Sequence, residues 1–137
     1  MRYSLFDGQR DITILIARVL LMVLFVLSGW AKLTGFDGTV GYMTSLGAPA
    51  PMLAAGIAVI MEFVVAILLI LGFYTRPLAF LFALFVLGTA LLGHPFWNMV
   101  DPERSANMTQ FLKNLSIMGG LLLLAVSGPG RFSVDGR

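Results

Sequence analysis

MLAAGIAVIMEFVVAILLILGF, residues 52–73, is apolar from end to end except for Glu62 near its middle. At helical rise the stretch is about 30 Å long, the thickness of a bilayer's hydrocarbon core, and Glu62 falls about halfway down it. A carboxylate at that depth costs from about 2.5 kcal/mol upward on insertion scales, so it needs a partner or a task. The rest of the chain reads as the helices that enclose Glu62 and supply that partner.

Of the 137 residues, 58% are hydrophobic and 12% charged, far from the composition of a soluble domain. Three more apolar runs, 12–33, 77–94 and 108–127, join 52–73 as candidate spans. The fold class expected is all-α: one transmembrane domain, an antiparallel four-helix bundle. Four spans leave no room for a soluble domain, and a net charge of +2 gives no argument for nucleic acid. The first run is too long for a signal-peptide core and is interrupted by Arg18, so it reads as a retained span. With no cysteine, the chain can form neither disulfides nor cysteine-held iron–sulfur clusters, and one histidine cannot ligate haem in pairs. No metal site is expected.

Positive charge is unevenly placed. Arg2, Arg10, Arg76, Arg131 and Arg137 fall in the terminal segments and the turn after the second span, whereas the other loops offer Lys32 and Arg104. The bias puts both termini in the cytoplasm, with loops 33–51 and 94–107 facing out. In the first outer loop, Asp37 as N-cap and Gly47 as stop predict a short interfacial helix over 38–46, followed by Pro51 in the first turn of the second span.

Arg18, Met22, Phe25, Gly29 and Lys32 recur at spacings of four, three, four and three along one face of the first span. Lys32 reaches the outer interface, where snorkelling is its ordinary role. Depth arithmetic sets Glu62 about 16 Å and Arg18 about 22 Å below the outer end, which predicts a Glu62–Arg18 interaction. Ala54, Ala58 and Ala66 share the Glu62 face and allow a neighbouring helix to approach. His94, Trp97 and Asn98 follow the third span, a place where a lone histidine is most often a satisfied polar residue. Asp101, Pro102 and Glu103 open the fourth helix, which carries Lys113 and Asn114 into the outer half. The tail RFSVDGR reads as a short strand or coil.

Collected by depth, Lys32, His94, Trp97, Asn98, Lys113 and Asn114 gather above Glu62, with Arg18 beneath it. Polar groups on inward faces at matching depth make a pocket; the bland alternative is a buried network that fixes helix register. The chain resembles the DoxX family of small four-span bacterial inner-membrane proteins over nearly its whole length. The resemblance rests on Arg18 with Phe25, the SGWAKL run (28–33), Glu62, His94 with Pro95 and Trp97, QFLKNLSIMGGLLLL (110–124) and GPGRFSVD (128–135). It implies a four-helix bundle and leaves activity open, since relatives include thiosulfate:quinone oxidoreductase subunits and partners in other membrane oxidoreductase complexes.

Three functions of different kinds follow. In a quinone-linked subunit, Lys32 or Lys113 would bond the headgroup and His94 or Glu62 carry protons, with electrons coming from a redox protein partner. In a scaffold, the polar network would be structural. A small-solute carrier would need more helices than one chain has, so it would require a homo-oligomer. The first of these is the reading adopted, with catalysis by this chain alone left open.

Overall fold

The computed structural model describes residues 3–136; Arg2 and Arg137 of the charge reading lie outside the described residues. Five helices carry the chain. Helix α1 spans Arg10–Thr34, α2 Phe36–Ser45, α3 Pro51–Leu71, α4 Thr75–Gly93 and α5 Glu103–Ser127. Single 3₁₀ turns at Asp7–Gln9 and Phe96–Asn98 precede α1 and follow α4. No strand occurs among the described residues. Helices α1, α3, α4 and α5 are each long and apolar enough to cross a bilayer. The outward faces of α1 and α5 carry exposed Leu20, Leu27, Leu123 and Val126, apolar surface suited to lipid. The protein is therefore an integral membrane protein.

The ends of these helices follow from local chemistry. Pro51 occupies the first turn of α3, where its missing N–H costs nothing. Gly72, at φ +74°, ends α3: its N–H bonds the Leu69 carbonyl while that of Phe73 bonds Leu68, a Schellman close. The expected start of α5, Asp101 as cap with Pro102 in the first turn, is shifted by one residue: Pro102 holds the N-cap position, and Asp101, just before it, accepts from the Ser105 backbone N–H at 3.2 Å. Helix α2 departs from the prediction. It begins at Phe36, two residues before 38, and Asp37 lies inside its first turn instead of capping it. Asp37 therefore interacts with the dipole and not with a free N–H.

Helices α4 and α5 form one tight antiparallel hairpin, and α1 lies along α3. The two pairs meet around Met22, Phe25, Val65, Leu69, Phe82 and Leu121, with Phe25 and Phe82 edge to face at 4.8 Å. This core fills the half of the bundle near the chain termini, here the termini end. At the other, the loop end, α2 packs Met43 against Ala55 and Ala58 of α3. Between the two clusters the pairs stand apart, which leaves room for a cavity.

The tail is neither strand nor free coil. Val134 and Asp135 donate backbone N–H groups to the carbonyls of Leu71 and Gly72, each at 2.9 Å. The Asp135 carboxylate accepts from the N–H groups of Tyr74 and Thr75, both at 2.9 Å. It caps α4 from sixty residues away, supplying the acceptor that a local N-cap side chain would otherwise provide.

Candidate functional site

The α1 face buries Arg18, Met22, Phe25 and Gly29, the stripe expected from their spacing. Its closest approach is at Gly29, where an added Cβ would stand 2.6 Å from the Glu62 carbonyl carbon and 2.7 Å from the Phe63 nitrogen. Only glycine lets α1 rest directly on the backbone of α3 there. That backbone is itself unusual: Ile60–Val65 is π-helical, a wide turn that rotates side chains out of α-register and is frequent at functional sites.

This register decides the partner of Glu62. Gly29 is level with Glu62, so Lys32 lies about one turn beyond it and reaches back. Lys32 Nζ donates to Glu62 Oε1 at 3.0 Å and to Ser28 Oγ at 2.8 Å. The Glu62 side chain is 8% exposed and that of Lys32 26%. The predicted Glu62–Arg18 interaction does not form. Arg18, eleven residues before Gly29, sits about 16 Å along α1 toward the termini end. Its guanidinium donates to the carbonyls of Leu69, Ile70 and Phe132. A buried cation thus closes the carbonyl end of α3, with the sign the helix dipole favours, and ties down the tail.

The Lys32–Glu62 pair lies on the wall of a cavity of about 450 Å³. Apolar groups from α1 to α4 make most of its surface, among them Phe25, Met43, Ala58, Phe85 and Leu92, while α5 contributes Lys113 and Asn114. The polar groups are few and placed at separate points. Ser28, Lys32 and Glu62 sit together, Asn114 bonds Thr89 Oγ1 at 3.3 Å, and His94 Nδ1 lies 2.9 Å from Asn107 Oδ1. Lys113 lines the rim, exposed and bonded to Gln110 Oε1 at 2.6 Å.

Of the residues singled out in the sequence, Lys32, Glu62, His94, Lys113 and Asn114 therefore border one cavity. Trp97 and Asn98 are not among its lining residues: Trp97 is half-exposed and packs edge-on against Phe96 and Phe111, and Asn98 is exposed. Arg18 belongs to the termini end. Thr89 and Tyr42 were not singled out, and Ser28 entered only through the SGWAKL resemblance and not as a pocket residue, although all three line the cavity. Ser28 is four residues before Lys32, one helical turn, and could have been found by that spacing. Among the described residues no group of three or more His, Cys, Asp or Glu is placed to hold a metal ion.

A broad apolar volume with a few polar groups on its wall is the form of a small-molecule site, and this one lies within the usual range of about 300–1,000 Å³. Comparison with known proteins adds the lineage. The chain is 53% identical over 137 residues to "Inner membrane protein YphA" of Escherichia coli (strain K12), covering all of this chain and 98% of that one. It is 42% identical over 125 residues, 91% of each chain, to "Inner membrane protein YqjF" of the same organism. With "Putative oxidoreductase CatD" of Bacillus subtilis (strain 168) it shares 33% identity over 89 residues, 63% of this chain and 65% of the relative. No solved structure matches. The DoxX model matches residues 13–95, a span that holds Arg18, Ser28, Lys32, Glu62 and His94 together, and the chain belongs to the DoxX family.

Proposed function

We propose that the protein is a quinone-binding accessory subunit of a membrane redox process. It would sit in a bacterial inner membrane with both termini in the cytoplasm and the loop end of the cavity toward the outer side. Arg10, Arg76 and Arg131 at the termini end support that orientation. The observation that carries the reading is the Lys32–Glu62 pair, held at 3.0 Å on the wall of an otherwise apolar cavity.

The residues fit a quinone headgroup. Phe25, Phe85 and Leu92 give the ring apolar surface, and the Lys32 ammonium, a quarter exposed while bonded to Ser28 and Glu62, keeps a third proton for a carbonyl oxygen. A bound quinone would supply two-electron redox chemistry, its electrons coming from a protein partner; "Putative oxidoreductase CatD" lends that link some support. Lys32 would orient the head and favour charge developing on oxygen. Glu62 would hold Lys32 in place and accept or return a proton through it. His94, bonded to Asn107 at the loop end, would exchange protons with the aqueous side.

Purified with its own lipids, the protein should retain a quinone, and added quinone should raise its Tm. Lys32→Met should abolish that rise. Absence of both the retained quinone and the shift in the wild type would refute the proposal. A structural reading applies to the Arg18 cluster, because Arg18 bonds to backbone carbonyls at the end of α3 and in the tail, where it supplies the donor for Ile70 and Phe132 and a second donor for Leu69, which also accepts from Gly72.

A further inference from the structure

The cavity is open to the lipid on one side. Helix α4 meets α3 only along its π-helical part and its last turns; over Pro51–Val59 the two helices stand clear of one another. The gap is bounded by Ala54 and Ile57 on α3 and by Gly88 and Leu92 on α4. Ile57, Gly88 and Leu92 are exposed, yet all three line the cavity. An added Cβ at Gly88 would meet nothing within 4 Å, so no neighbouring helix demands glycine there. What the missing side chain leaves open is the gap itself. Outside it, an apolar groove runs along α3 past Leu53, Gly56 and Ile60, and Ile57 lines both the groove and the cavity.

We propose, resting on the pocket reading above, that this gap is the ligand's entrance and its chain site. The ligand is an amphiphile drawn from the bilayer, with its polar head at Lys32 and Glu62. A single hydrocarbon chain passes beside Gly88 and lies along the α3 groove. The occupant follows from the walls. At the gap they are hydrocarbon alone, so a chain loses no hydrogen bond in crossing, whereas a charged solute from water would be stripped of hydration with nothing to replace it. The cavity's other exposed lining residues are Leu24 with Lys113, whose ammonium is held to Gln110, and Tyr42 at the loop end, which brings a phenol; neither place offers a chain walls of hydrocarbon alone.

The test compares a benzoquinone head carrying a decyl chain with the same head lacking it, by thermal shift and tryptophan quenching in detergent. Proteins compared are wild type, Gly88→Leu, Gly88→Ala and Lys32→Met. Leucine at an open helical position favours folding over glycine, and Gly88→Ala provides a smaller step at the same site. Gly88→Leu should weaken the chain-bearing ligand by about tenfold or more and leave the bare head within about twofold, with Gly88→Ala between. If Gly88→Leu leaves both ligands unchanged, or weakens both equally, while Lys32→Met abolishes both, the entrance is refuted and the pocket stands. If neither ligand binds the wild type, both readings fall.

Discussion

Removing Lys32 should cost more stability than removing the charge of Glu62, and the two losses should not add. At 3.0 Å the pair attracts by about 5–6 kcal/mol at an effective dielectric near 20. Desolvation takes back several kcal/mol of that, leaving a net coupling of about 2 kcal/mol. The asymmetry comes from burial. Lys32→Met strands a carboxylate that is 8% exposed, so about 3 kcal/mol is expected. Glu62→Gln leaves an ammonium that is 26% exposed and still bonded to Ser28, so about 1 kcal/mol is expected. The double variant should cost about 2 kcal/mol, less than the sum of the two. Unfolding in mixed micelles, followed through the emission of Trp30 and Trp97, measures all four proteins. Additivity within about 0.5 kcal/mol, or a greater loss from Glu62→Gln than from Lys32→Met, would refute this account of the pair.

Arg18→Met should destabilise by about 3 kcal/mol or more, since it leaves the Ile70 and Phe132 carbonyls without their donor and Leu69 with the Gly72 N–H alone; limited proteolysis should find segment 129–136 released, and quinone binding unchanged while the bundle stays folded. Gly29→Ala must push α1 off α3, because the atoms 2.6–2.8 Å from the new Cβ are all backbone; overpacking of about 1–3 kcal/mol should exceed the helix-propensity gain of about 1 kcal/mol. The same substitution should weaken quinone binding through the displaced Lys32–Glu62 pair, which a thermal shift would report. Asp135→Ala removes the carboxylate from the Tyr74 and Thr75 N–H groups and should cost about 1–2 kcal/mol, read as faster hydrogen exchange at the start of α4 with no effect on the cavity.

Much of this was legible in the sequence for one reason: in a membrane, polar residues are conspicuous. Glu62 stands out in 52–73, and the stripe from Arg18 to Lys32 marks the buried face of α1 without any knowledge of its neighbours. Depth arithmetic failed for the partner of Glu62 because it measured each span from its own end. The shared level is set by Gly29 resting on the Glu62 backbone, a contact between residues thirty-three apart that no local pattern reports. Lys32 reaches inward to Glu62 instead of snorkelling outward. The π-helical turn leaves no signature in a run of aliphatic residues, and the tail's role depends on Asp135 meeting the start of α4 across the fold. Trp97 shares the depth of the cavity but not its direction, a distinction that sequence spacing through a 3₁₀ turn does not resolve.

The central claim is that the cavity beside Lys32 and Glu62 holds a lipophilic headgroup. Native mass spectrometry of the protein released from its own membrane tests it directly, with Lys32→Met prepared in parallel. The account predicts a bound quinone-mass species on the wild type that is absent from Lys32→Met. A wild type that emerges empty, or a species retained equally by both proteins, would contradict it.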